Sequence, residues 1–152
     1  MTVGSGDGWA FCAQGHRHWG VHGAAGLLLR ARDDLGVRHV LLQHRAGWSH
    51  EGGTWALPGG ARHHHESPEQ AALREAAEEV AVDLADLRLV ACHLEDHGGW
   101  SYVTVVAECP SLRRAAPGNG ETLEVRWVAE PAVPLLPLHP AFAAAWPLLT
   151  AY

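Results

Sequence analysis

The sequence predicts an α/β domain, specifically an α/β/α sandwich around a mixed β-sheet. Three observations carry that expectation. Apolar, β-prone runs bounded by turn residues recur on both sides of one well-capped helical segment. A second, shorter helical segment follows the last of those runs. The chain of 152 residues, 47% of them hydrophobic, is long enough for one substantial core and too short for two. Residues 24–152 are therefore read as a single domain, preceded by a glycine- and histidine-rich segment, residues 1–23, expected to be partly ordered.

Taken in order, AAGLLLRA (24–31) and VRHVLLQH (37–44) flank the turn-like RDDLG and read as a hairpin rich in buried-type residues. Residues 45–53 form a loop, Thr54 to Leu57 a short strand, and Pro58-Gly59-Gly60 a turn toward the helix. Ser67 is a good N-cap, Pro68 suits the first helical position, and Gln70 stands where a capping box needs it. The helix is expected over 68–80, with Leu73 facing the interior. Leu87 to Glu95 and Trp100 to Glu108 read as strands around Asp96-His97-Gly98-Gly99. An exposed loop is expected over 110–122, a last strand over 123–128 and a stiff connector from Pro131 to Pro137. The closing helix over 140–149 should end or bend at Pro147.

Composition excludes several classes. A net charge of −6 argues against a nucleic acid polymer as ligand, because such binding is driven by clustered Lys and Arg. No apolar run approaches the length of a membrane span, and the N-terminus lacks the pattern of a secretory leader. Cys12, Cys92 and Cys109 have no paired spacing and read as reduced, buried thiols, which suggests a cytoplasmic protein. Cys12, His16, His18 and His22 lack the paired logic of a dependable zinc site.

The most informative stretch is GARHHHESPEQAALREAAEEVAV, 60–82. It places Glu75, Glu78 and Glu79 at i, i+3 and i+4 of the helix, so like charges crowd one face near the end whose dipole disfavours anions. Arg74 can offset part of that charge. A hard divalent cation held by oxygen ligands, Mg²⁺ first and Mn²⁺ as a substitute, is an economical counterion. A solvated acidic face is the alternative for an isolated EAAEE.

The wider spacing discriminates between these readings. Gly60, Glu66, Arg74, Glu75, Glu78 and Glu79 match the Nudix box, G-x5-E-x7-R-E-U-x-E-E-x-G-U, and the chain resembles that family over roughly residues 20–148. With each position matching by chance at about one in twenty, the set would arise in fewer than about one window in a million. Ala76 replaces the usual bulky aliphatic, and Ala81 the closing glycine, where alanine adopts positive φ at a cost of roughly 1 kcal/mol. An altered helix exit is expected there.

The resemblance implies a Nudix fold and metal-dependent hydrolysis of a phosphoric anhydride. It implies that Glu78 and Glu79 ligate Mg²⁺, that Glu75 is a ligand or the general base, that the Gly59 carbonyl is a further ligand, and that Glu66 and Arg74 brace the loop through ion pairs around Gly60. One more acid ahead of the last strand's tryptophan, Glu121 in preference to Glu124, would join the metal site. Arg45 is a candidate for a substrate phosphate. Trp48, Trp55 and Trp100 are candidates for stacking on a base, with core packing as the alternative. His63, His64 and His65 are expected to line a solvent loop. The likeness to MutT-type, 8-oxo-dGTP-cleaving members implies a small nucleotide substrate, with ADP-ribose, nucleotide sugars or dinucleotides as alternatives. A binding module without catalysis is disfavoured because no box glutamate is lost. A homodimer remains an open option.

Overall fold

The computed structural model describes residues 6–47 and 52–152, so Trp48 lies outside the described residues. β1 (Trp9–Phe11) and β2 (Arg17–Trp19) form a small antiparallel ribbon within the segment ahead of the main domain. The principal sheet contains β3 (Ala24–Arg32), β4 (Arg38–Arg45), β5 (Trp55–Ala56), β6 (Gly59–Ala61), β7 (Arg88–Asp96), β8 (Ser101–Glu108) and β9 (Thr122–Ala129). Its order is β5-β4-β3-β8-β7, with β6 also paired to β3 and β9 to β4. β3 and β8 run parallel while the other pairs are antiparallel, which makes the sheet mixed.

Two helices cover the two faces. α1 (Pro68–Val80) sets Ala71, Ala72, Ala76 and Val80 against Leu27, Leu29, Val105 and Ala107. α2 (Pro140–Leu149) sets Phe142, Ala145, Trp146 and Leu149 against Leu28, Leu42 and Val106. Alternate residues of β3 thus serve opposite cores, which is why its sequence is apolar on both faces from Ala24 to Leu29. Arg30, only 3% exposed, follows; its guanidinium donates to the Tyr152 carbonyl at 2.8 Å and to Glu108 at 3.1 Å.

Several expectations are corrected. Gly59 and Gly60 do not form a turn: the chain bends at Leu57-Pro58, and the glycines pair with Gly26 and Ala25 as strand β6. The helix exit is not altered, because Ala81 takes the left-handed conformation itself, with φ 44° and ψ 43°. That strain is offset locally. Gly118 N–H donates to the Glu79 carbonyl at 2.9 Å and Ala116 N–H to that of Val80 at 3.1 Å, so the segment read as an exposed loop caps the end of α1. Pro147 does not end α2, which runs on to Leu149, and the connector after β9 is a 3-10 turn over Glu130–Leu135. Cys12 and Cys109 are buried, but Cys92 is exposed and its thiol lies 3.2 Å from Glu69. All three are free thiols.

Candidate active site

The site is assembled where β6, β4 and α1 meet. At the N-terminal end of α1 the Ser67 hydroxyl accepts from Gln70 N–H, and the Gln70 side chain accepts from Ser67 N–H, closing the capping box. This fixes Glu66 just ahead of the helix. Arg74, two turns on, grips both Glu66 oxygens through Nε at 2.7 Å and Nη2 at 2.9 Å, and Nη2 also donates to the Ala61 carbonyl at 3.0 Å. Glu66 further accepts from His63 N–H at 2.7 Å. The bidentate bond from Arg74 leads in holding the Glu66 carboxyl down to about 2. The Glu66–Arg74 ion pair implied by the resemblance is present.

Arg74 also reaches Glu75 at 2.9 Å and Glu78 at 3.5 Å. Glu75 is largely buried and its carboxyl is raised above the usual carboxylate range by burial, with Arg74 opposing that rise. Gly60 leaves room for it: a Cβ there would stand 2.7 Å from the Glu75 carboxyl carbon and would push the carboxyl aside. Glu78 faces solvent, its side chain 54% exposed.

Glu79 behaves differently. It turns inward, 5% exposed, and its two oxygens accept from Gly59 N–H at 2.8 Å and from the Gln43 amide at 2.9 Å. Burial pushes its carboxyl up to about 7; the like charge of Glu75 adds to the rise, while the Gln43 and Gly59 bonds and the more distant Arg45 oppose it. Gln43 is itself 1% exposed, and its carbonyl oxygen accepts from the Thr122 hydroxyl at 2.6 Å.

The Tyr102 ring reaches the same place from β8. Its hydroxyl occupies the space over Gly26 and Gly59 that side chains would fill, 2.8 Å from where a Gly59 Cβ would stand. Burial raises the phenol well above its ordinary value, and Glu79 adds to that effect. Sequence reasoning missed Gln43, Thr122 and Tyr102. Gln43 carried a signal, a lone amide in the apolar run VLLQ on the face shared with Leu41.

The remaining candidates are dispersed. Arg45 ends β4 and lies close enough to Glu79 to favour its charged form. Glu121 is exposed; its backbone carbonyl accepts from Ala46 N–H at 2.8 Å, and its carboxylate has no bond to the box glutamates among the described residues. Trp55 is a core residue, 5% exposed and stacked on His44. Trp100 is engaged by the N-terminal segment: its N–H donates to the Gly20 carbonyl at 2.9 Å and its ring stacks on His18 at 4.0 Å. It lines, with His22, Asp96 and Ser101, an open cavity of about 270 Å³. His64 and His65 are exposed as expected, and His64 lies against His22.

The donor chemistry fits a hard divalent cation. Glu79 is a nearly buried carboxylate with only neutral hydrogen-bond donors in contact, each oxygen keeps a free lone pair, and the neighbouring Glu75 is negative as well. The cage is not ready-made. Among the described residues no three His, Cys, Asp or Glu side chains converge as a metal site, because Glu75 and Glu78 are drawn toward Arg74.

A glycine-bearing strand, a loop and a helix carrying these acids define a Nudix domain, and the NUDIX domain model matches residues 20–149. The chain belongs to the Nudix hydrolase family, whose members cleave phosphoric anhydrides and generally use divalent metal ions. It is 52% identical over 150 residues to the Mycobacterium tuberculosis protein named "Putative 8-oxo-dGTP diphosphatase 3", covering 94% of this chain and 68% of that protein. It is 46% identical to a nucleoside triphosphate pyrophosphatase/Nudix hydrolase fusion protein of Bifidobacterium longum, matching 96% of this chain and 31% of that longer protein. Among solved structures, the Nudix hydrolase RenU from M. smegmatis superimposes with a TM-score of 0.88 at 50% identity, over 96% of this chain and 94% of that one. No helix among the described residues is long and apolar enough to cross a membrane.

Proposed function

We propose that this chain hydrolyses a nucleoside triphosphate in a Mg²⁺-dependent reaction, with Mn²⁺ as a substitute metal and 8-oxo-dGTP as the leading substrate. The observation that carries the catalytic reading is Glu79: a buried carboxylate whose partners are all neutral, beside a second acid, at the position where the family box requires one. Glu79, Glu78, Glu75 and the Gly59 carbonyl would hold the metal, with Glu121 as an outer candidate. The bound metal would neutralise charge on the diphosphate oxygens and lower the barrier to attack by water. Glu75, raised by burial, is suited to accept a proton from that water. Arg45 would bind a substrate phosphate, and Arg74 and Glu66 keep the loop rigid against α1. The substrate class is supported by the relative named as an 8-oxo-dGTP diphosphatase.

The test is a nucleotide panel with Mg²⁺, scoring phosphate and pyrophosphate separately. The proposal expects 8-oxo-dGTP to be the preferred substrate by kcat/KM. Equal or better turnover of dGTP, ADP-ribose, a nucleotide sugar or a dinucleotide removes the nucleotide-sanitising role and names the alternative.

A further inference from the structure

Glu79 is held by more than its immediate neighbours. Along β4, Leu41, Gln43 and Arg45 point to the α1 face, and Leu41 is ordinary core. Gln43 breaks the pattern with a primary amide that is 1% exposed. Burying an amide is costly unless every polar atom is satisfied, and here both ends are engaged. Its NH₂ donates to Glu79 at 2.9 Å, with a longer bond to the Leu57 carbonyl at 3.4 Å, and its carbonyl oxygen accepts from Thr122 at 2.6 Å.

A second observation explains how Thr122 comes to be there. β9 pairs regularly with β4 from His39↔Ala129 to His44↔Glu124, then the register shifts and Arg45 stands opposite Thr122. Leu123 is the extra residue of this β-bulge and is 58% exposed. In an unbroken ladder Leu123 would have faced α1 beside Gln43. The bulge sends that leucine to solvent and turns the Thr122 hydroxyl, 5% exposed, onto the amide. Bulges beside functional sites commonly re-aim one side chain in this way.

We propose that Gln43 and Thr122 are positioning residues that act through Glu79: the hydroxyl fixes which way the amide faces, and the amide fixes the carboxylate for a divalent cation. The inference rests on the reading of Glu79 as a metal ligand. With its oxygen committed to Thr122, the Gln43 amide can offer only N–H to Glu79. Without the hydroxyl the amide is free to rotate and present its oxygen to a carboxylate, which repels it. Partners of this kind orient ligands, and their loss weakens metal binding.

The test measures Mn²⁺ binding alone by calorimetry, without nucleotide, with circular dichroism and melting curves on every variant. Gln43→Met keeps side-chain volume and removes the donor; it should raise the Mn²⁺ dissociation constant about 10–100-fold. Thr122→Val should raise it by a smaller factor, about 3–10-fold, and Thr122→Ser, which restores the hydroxyl, should return it to within about twofold of wild type. A folded Gln43→Met protein with wild-type affinity overturns the proposal. If that variant does not fold, equal affinities of Thr122→Val and Thr122→Ser overturn it instead. Glu79→Gln separates the two levels: unchanged Mn²⁺ binding there removes Glu79 as a ligand and the relay with it. Loss in Glu79→Gln, with none in Gln43→Met and Thr122→Val, removes the relay alone.

Discussion

Glu66 and Glu79 flank the two ends of the same helix and are shifted in opposite directions, to about 2 and about 7. Glu79 is the more deeply buried and burial leads its rise, whereas bonding to Arg74 leads the fall of Glu66. Their partners differ in kind as well. Glu66 meets a guanidinium that supplies a full positive charge in bidentate geometry, whereas Glu79 meets an amide and a backbone N–H, which supply dipoles only. One end of α1 is electrostatically closed by the protein. The other is open, and that imbalance is what supports the proposed cation site there.

The largest expected effect removes the open end. Glu79→Gln should lower turnover by at least about a hundredfold through loss of the charge, with a lowered melting temperature beside it, because the new NH₂ must face the Gly59 N–H or the Gln43 NH₂. Normal steady-state rates would erase the distinction between the two acids. Next, Arg74→Met breaks the closed end and leaves Glu66 without its cation. A loss of about 2–3 kcal/mol is expected, read as a fall of roughly 5–10 °C in melting temperature. An unchanged transition would show that the brace is surface decoration.

The pH dependence of stability sharpens the contrast, measured by denaturant titration with a chelator present. The folded value for Glu66 lies below its ordinary 4.5, so its stabilisation is complete above about pH 4.5 and is lost as pH falls toward 2. The folded value for Glu79 lies above 4.5, so its contribution runs the other way: it is fullest below about pH 4.5 and is lost as pH rises through about 7. Glu66→Gln should flatten the acid limb only, and Glu79→Gln the other limb only. The smallest effect is Ala81→Gly, which relieves positive φ at the helix exit. It should add about 0.5–1 kcal/mol of stability and leave turnover unchanged; a loss of activity would mean that Ala81 itself shapes the site.

The contrast was half legible in the sequence. The helix boundaries at Pro68 and Val80 followed from a capping box and apolar spacing, both local signals. The Glu66–Arg74 pair was implied by the resemblance to the Nudix box. The state of Glu79 was not legible, since its partners come from β4 and β6 and its depth depends on how three elements pack. Thr122 was further out of reach. A period-two reading starts the last strand at Leu123, and only the pairing with β4 reveals the bulge that turns Thr122 inward. The orientation of Glu121 was not legible either: proximity in sequence to Trp127 says nothing of which way a loop carboxylate points. The left-handed Ala81 was misjudged because the bonds from Ala116 and Gly118 that hold the helix end come from a distant segment.

The central claim is that Glu79, not Glu66, is the acid left for a divalent ion. Electron paramagnetic resonance of free Mn²⁺ titrated with wild type, Glu66→Gln and Glu79→Gln tests it most directly. The account predicts that wild type and Glu66→Gln deplete the free-ion signal with affinities within a few-fold of each other, while Glu79→Gln leaves it largely intact. Equal depletion by wild type and Glu79→Gln would contradict it.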